Sequence, residues 1–296
     1  MSRGSRDDVR SAGESREPER LPEPSRSTRR PDLSTERLAL PVTDRREAVE
    51  FRDRVYQLRG SETRILATVG AFRVVPAVDL VDGRSTPDAF KEDLRRLADQ
   101  GLIERRTLPI NREPTRVVVL TKAGKALLDA RREPTAGRQQ EHHAGLVKPR
   151  ELAHDAQIYR LYQAEAVRLE DAGGHIARVV LDYEIKHDYQ TFLNRPDRPE
   201  DTERDEDIAA FAAANRLPVI DGHLELPDLR IEYETADGRL EVRDLELVTE
   251  HYSRGQLSGK ARAGFGLYRA AGAGRVRGGQ ARTGGTPFDP HHLERI

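Results

Sequence analysis

TPDAFKEDLRRLADQGLIERRTL, residues 86–108, changes its apolar period halfway along, and that change decides the fold of the first half of the chain. Up to Gly101 the apolar residues Phe90, Leu94, Leu97 and Ala98 recur at helical spacing. Thr86-Pro87-Asp88 reads as a helix start: a capping hydroxyl, a proline at the first helical position, and an acid near the positive end of the dipole. Gly101 ends the helix as a C′ glycine. From Leu102 the pattern becomes strand-like, and Thr115 to Leu120 supplies a second strand across the turn Pro109 to Pro114.

Working outward, Ile65, Leu66 and Val69 predict a helix capped by Ser61, and Pro76 to Leu80 predicts a short second helix before Gly83 breaks the chain. On the other side Thr121 opens the helix TKAGKALLDARR. Helix, short helix, helix, hairpin, helix is the order of a winged helix-turn-helix. The run LRRLADQGLIERRTL…RVVVLTKAGKALLDA resembles MarR-type and related winged-helix regulators, with their Gly-Leu-Ile-Glu-Arg turn and their Leu-Thr-x-x-Gly helix start. The resemblance implies a recognition helix for the major groove and a hairpin lying along the backbone beside it. Candidate DNA-binding residues are Thr86, Lys91, Arg95 and Arg96 on the helix, with Arg84 and Ser85 before it. On the hairpin they are Arg105, Arg106, Arg112 and Arg116, with Asn111. Glu92 and Asp99 stand at pairing distance along the same helix, so its arginines read equally as a solvated face. Asp88, Glu92 and Asp93 also leave a protein-docking role open for it.

The formal net charge is -1, so DNA affinity must come from local basic surfaces rather than a global field. The absence of cysteine excludes disulfides, thiolate catalysis and Cys-ligated zinc. No apolar run reaches membrane-spanning length and the N-terminus lacks a signal-peptide core, so a cytoplasmic protein without membrane contact is expected. Residues 1–45 mix Arg, Glu, Ser and Pro without apolar periodicity and read as a disordered tail. The winged helix is placed at 46–132, a polar linker at 133–150, a second domain at 151–271 and a flexible Gly-rich tail at 272–296. His142-His143 and His291-His292 lie in these polar stretches and read as flexible residues rather than metal ligands.

In the second domain Leu152 to Leu169 carries a helical stripe, His175 to Ile185 alternates as a strand, Asn194 to Asp207 reads as an acidic loop, and Ile208 to Ala214 as a helix. Two alternating strands then flank Asp237-Gly238, a strong hairpin signal. With those two as the turn, Ala236 faces Arg239 and Asp228 falls opposite Leu247, between Glu246 and Val248. Asp228, Asp244 and Glu246 then crowd one end of the hairpin. Like charges that close call for a cation or a raised pKa, and oxygen ligands suit Mg2+ or Mn2+. An ordinary ion pair with Arg230, Arg243 or Lys186 would serve as well.

Pro227-Asp228 and Glu246-Leu247-Val248 resemble the Pro-Asp and Glu-x-Lys elements of the PD-(D/E)xK nucleases, with Val248 where the lysine belongs. The resemblance implies an α/β domain with a β-meander, Asp228 and Glu246 as catalytic acids, Lys260 as the substitute lysine, and Glu165 or Glu151 as an additional acid. Asp228, Asp244 and Glu246 are the candidate metal set, with Mg2+ the cofactor if the domain cleaves. Over residues 58–271 the chain also resembles the replication-relaxation family, a winged helix followed by a nuclease-like domain. The segment DLELVTEHYSRGQLSGKARAGFGLYRA carries that likeness, with Thr249-Glu250 and Lys260 in matching places and His251 the histidine nearest the site. It implies a DNA-binding protein of plasmid or mobile-element replication or maintenance. The expected fold class is α+β: an N-terminal winged helix-turn-helix, a C-terminal α/β nuclease-like domain, and disordered tails. Double-stranded DNA is the expected partner, and replication or mobilisation proteins and a second copy forming a homodimer complete the set. The competing expectation is a non-enzymatic winged-helix transcriptional regulator whose C-terminal domain binds a protein partner.

Overall fold

The computed structural model describes residues 33, 35–81, 85–110, 113–134, 138–146, 148, 151–198, 203–248, 252–270 and 293–295. It is a mixed α/β structure with seven α-helices among these residues, and no helix among them is long and apolar enough to cross a membrane.

The first half opens with a hairpin, β1 (Glu47–Phe51) and β2 (Arg54–Leu58), followed by α1 (Gly60–Phe72) and the two-residue β3 (Val75–Pro76). A 3-10 turn over Ala77–Leu80 takes the place of the expected short helix. Then come α2 (Pro87–Asp99), β4 (Ile103–Ile110), β5 (Glu113–Leu120) and α3 (Lys122–Ala130). Thr86 caps α2, its hydroxyl accepting from the Ala89 N–H at 3.3 Å, and Thr121 caps α3 in the same way through the Gly124 N–H at 3.0 Å. The three strands pair in the order β3-β5-β4. Gly124 has a steric reason: a Cβ there would stand 2.2 Å from the Leu102 carbonyl oxygen. Gly124→Ala is expected to destabilise the chain by about 1–3 kcal/mol despite the better helix propensity of alanine, measured by denaturant unfolding. A variant as stable as the parent would show that α3 is not seated on Leu102.

The second half contains α4 (Leu152–Asp171), β6 (His175–Leu181), α5 (Asp182–Leu193), α6 (Arg204–Asn215), a small ladder of β7 (Val219–Ile220) and β8 (His223–Leu224), β9 (Leu229–Glu234), β10 (Leu240–Leu247), α7 (Arg254–Arg262), β11 (Gly266–Ala270) and β12 (Leu293–Arg295). The large sheet runs β12-β11-β10-β9-β6, antiparallel throughout except for the parallel β10/β11 pair that α7 connects.

Several expectations are corrected here. The strand from His175 stops at Leu181, because the Leu181 N–H is taken by the Glu184 carboxylate at 3.0 Å and a helix starts. Asp182 and Glu184 look like alternating strand residues, yet they occupy the first turn of α5, where the dipole favours acids. The β9/β10 turn is longer than two residues: Leu240 pairs with Glu234, and Gly238 takes φ 81°. That moves the register by one, and a one-residue slip changes every partner. The step beyond the last pair, Leu229 with Leu245, therefore sets Asp228 across from Glu246 instead of Leu247.

The tails and the linker also change. Leu33, Leu38 and Leu40 are buried, Ala39 donates to the Arg131 carbonyl at 2.7 Å, and Glu133 donates to that of Arg37 at 2.9 Å. The described residues before 46 thus belong to the packed structure. So does part of the expected C-terminal tail, since β12 pairs with β11. Gln140 in the expected linker meets the Val179 backbone through both side-chain amide atoms, at 2.9 and 3.1 Å, covering the free edge of β6. His142 is buried against Asp129 at 3.1 Å, and His143 donates its backbone N–H to Gly70 at 2.7 Å. His291 and His292 lie outside the described residues.

The largest of the apolar clusters among the described residues runs through both halves. It joins Leu66, Phe72 and Leu128 to Tyr159, Tyr162, Ile231 and Leu247. α4 is the shared element, its rings Tyr159 and Tyr162 lying 5.0 and 4.9 Å from that of Phe72.

Candidate functional site

The cleft of interest opens where β9 begins and β10 ends. It has a volume of about 420 Å³ and is lined by Asp182, Lys186, Asp228, Glu246, Tyr252 and Lys260, with Leu224 to Leu226 closing one side. Within β10 the alternation sends Leu245 and Leu247 into the shared core. Glu246, between them, points to the opposite face, towards α7.

Asp228 is held by its neighbours. One carboxylate oxygen accepts from the Leu247 N–H at 2.9 Å and the other faces His154 Nε2 at 3.3 Å. His154 Nδ1 lies 3.4 Å from Asp155. Burial pulls the His154 pKa down, but the hydrogen bonds to Asp155 and Asp228 outweigh it and raise it to about 10. The ring is therefore an imidazolium at neutral pH. Glu246 is almost wholly buried; its Oε1 accepts from the Tyr252 hydroxyl and lies 3.3 Å from Lys260 Nζ. Its Oε2 is buried without a hydrogen-bond partner among the described residues. Burial, and then the charge of Asp228, push Glu246 up to about 7. Burial, and then Glu246, likewise hold the Tyr252 hydroxyl well above its ordinary range.

Lys260 comes in from α7, which Ser253 starts by accepting from the Gln256 N–H at 3.2 Å. Its ammonium also donates to the Leu226 carbonyl at 2.6 Å and pairs with Glu225 at 3.3 Å. Lys186 on α5 pairs with Asp182 at 2.6 Å. Burial lowers the Lys186 pKa, but Asp182, with Asp228 and Glu246 behind it, holds it above its ordinary range. The Asp182 N–H donates to the Asp228 carbonyl at 3.2 Å, tying the start of α5 to the start of β9.

The structure thus brings Asp228, Glu246 and Lys260 into one cleft. It does not bring Asp244, whose carboxylate forms a two-point ion pair with Arg230 at 2.7 and 2.8 Å, both side chains nearly buried. Arg230 also donates to the Asn215 and Arg216 carbonyls at 2.5 and 3.1 Å, so the pair fastens α6 to the sheet. Glu165 is buried with Arg243 and Tyr268, and Glu151 meets Arg73. Thr249, Glu250 and His251 lie outside the described residues.

Among the described residues no three His, Asp or Glu side chains form a metal-holding group. The fit to Mg2+ rests on fewer ligands: Mg2+ is commonly bound by one or two carboxylates, with water and phosphate oxygens completing its shell. Asp228 and Glu246, lining one cleft with one buried Glu246 oxygen unpartnered among the described residues, fit that pattern.

The candidate DNA face is more neutral than its arginine count suggests. On α2, Arg95 spans Glu92 at 2.7 Å and Asp99 at 2.6 Å, Arg96 meets Glu92 at 2.7 Å, and Lys91 meets Asp88 at 3.2 Å. The hydrogen bond from Arg95, with that from Arg96, holds the Glu92 carboxyl down to about 2. Asp93 is not an exposed docking acid: it is buried against Arg59 and Ser61 and locks α2 onto the start of α1. On the hairpin Arg106 pairs with Glu104 at 2.6 Å. Arg105 and Arg116 are exposed and form no ion pair among the described residues. Arg84, Asn111 and Arg112 lie outside them.

His154, Tyr252 and Asp182 were not singled out for this site by the sequence, and Lys186 was named only as an ion-pair partner for its acids. His154-Asp155 in the first turn of a helix was a signal within reach; α5, unrecognised as a helix, hid the other pair. No protein-family model, no curated protein and no solved structure matches the chain.

Proposed function

We propose that this chain is a DNA-binding protein of the replication-relaxation type, serving replication or maintenance of a mobile element. Its first half docks duplex DNA in the manner of a winged helix, and its second half carries a nuclease-like cleft. The observation that carries the reading is the meeting of Asp228, Glu246 and Lys260, residues spread over 32 positions of sequence, in one open cleft. The helix–hairpin order of the first half supports the docking role.

Asp228 and Glu246 would hold Mg2+, which supplies Lewis acidity and charge neutralisation to a phosphodiester. The protein's own groups arrange that site. The Leu247 N–H and the His154 imidazolium orient Asp228. The Lys260 ammonium and Tyr252 hydroxyl hold Glu246 in place and leave its second oxygen unpaired. Mg2+-dependent nicking of supercoiled plasmid tests the reading, and a wild-type chain that never nicks would end it.

For docking, the unpaired arginines of the hairpin matter more than those of α2. Arg105→Ala with Arg116→Ala is expected to lower the slope of log affinity against log salt by about 2 on a short duplex. Arg95→Ala should lower it by less, because its guanidinium is already neutralised by Glu92 and Asp99. An unchanged slope in the double variant would remove the hairpin from the DNA face.

The second reading, a non-enzymatic regulator, draws support from that same neutrality of α2, which suits a protein surface as well as a groove.

A further inference from the structure

Two lysines line the cleft, and their surroundings differ. Lys260 has a mostly buried side chain with three protein oxygens around its ammonium: it donates to the Leu226 carbonyl at 2.6 Å and forms ion pairs with Glu225 and Glu246, each at 3.3 Å. Its charge is taken up by the protein's own oxygens. Lys186 has a side chain 58% exposed at the cleft and, among the described residues, pairs with Asp182 alone, at 2.6 Å, so two of its donors face no described partner. Asp182 anchors it: the pair lies at i,i+4 on α5, and the Asp182 N–H is fixed to the Asp228 carbonyl. Val248, the position where a lysine would follow Glu246 in the strand, is buried against Phe265 and Leu267. An ammonium there would lie in an apolar pocket.

We propose that Lys186 is the cation that meets the phosphate of the bound nucleic acid, and that Lys260 is a positioning residue that holds Glu246. The assignment rests on the nuclease-like reading of the cleft and names which side chain would touch its substrate. The charged groups facing Lys186 are Asp182 on its own helix, Asp228 from β9 and Glu246 from β10. A phosphate arriving beside a cation held in that acidic setting gains a charge-assisted hydrogen bond, where the carboxylates alone would repel it.

The test uses the full chain and a fluorescent 5′-phosphorylated tetranucleotide, too short to reach the helix–hairpin face, titrated in Ca2+ buffer. Lys186→Met is expected to weaken binding about tenfold or more, the loss of one hydrogen bond to a charged group, while leaving the melting temperature unchanged. Lys186→Arg should restore binding to within about threefold, since a cation with free donors returns. Lys260→Met should instead lower the melting temperature, because it strands Glu246 and Glu225. Equal binding by the wild type and Lys186→Met, or no binding by the wild type, overturns the assignment. Plasmid nicking in Mg2+ is scored separately. Nicking with Lys186-independent binding ends the assignment and keeps the nuclease reading. Lys186-dependent binding without any nicking ends the nuclease reading and keeps the phosphate contact.

Discussion

Asp228→Ala is expected to reduce Mg2+-dependent plasmid nicking by about 100-fold or more, the scale on which one preorganised charge at a reacting centre acts. Glu246 would then lose the neighbouring charge of Asp228, and its pKa, raised to about 7 partly by that charge, should fall. The substitution also takes the acceptor from the Leu247 N–H and from His154 Nε2, so some loss of stability accompanies it, about 1–3 kcal/mol. Asp228→Asn separates the two effects. The amide oxygen can still accept from Leu247, yet the charge that would hold a cation is gone. Nicking lost in both variants, with near-normal melting of the asparagine one, places the role of Asp228 in its charge. Nicking retained by Asp228→Asn would dismiss it as a metal ligand.

Phe72→Ala carries the largest expected effect on stability, about 3–5 kcal/mol. Phe72 is 1% exposed at the end of α1 and meets both Tyr159 and Tyr162 of α4, at 5.0 and 4.9 Å. Its removal opens a cavity at the place where the two halves share one core, and a loss of that size is a large fraction of the usual 5–15 kcal/mol total. Polar contacts cross the same boundary: Arg160 to Asp79 at 2.7 Å, and Arg73 to Glu151 and Asp155 at 3.3 and 3.4 Å. Wild type and variant should therefore each unfold in one transition, seen alike by probes in either half, with the variant shifted lower. Two separated transitions in the wild type would show that the halves fold independently and that the core does not couple them.

That coupling bears on the proposed function. If the first half docks DNA, α4 ties it to the half that carries the cleft. The same helix supplies His154 to Asp228. The fixed segment over 138–146, bonded to Gly70 on one side and Val179 on the other, closes the gap that a loose linker would have left.

Much of the secondary structure was legible in the residues themselves. Thr86-Pro87-Asp88, Thr121 with Gly124, and the Leu152 stripe announce their helices because caps, proline placement and apolar period act within a few residues. Asp228, Glu246 and Lys260 were legible as a motif, since the hairpin carries the two acids and the next helix carries the lysine. Strand-like alternation in His175 to Ile185 hid α5. It therefore hid the helical pairing of Asp182 with Lys186, because a short apolar run with acids at every second place fits either period.

What the chain determines by itself is the kind of those elements whose caps and apolar period agree, the exclusion of cysteine chemistry, and the acids that crowd one hairpin end. Tertiary structure decides which of those acids remain available. The β9/β10 turn, longer by one residue, sets Asp228 across from Glu246. Arg230 takes Asp244 out of the group, and Glu225 with the Leu226 carbonyl takes up the Lys260 ammonium while Lys186 stays open. Register and ion pairing depend on residues brought together from distant parts of the chain, and their energies turn on burial, which no local window of sequence contains.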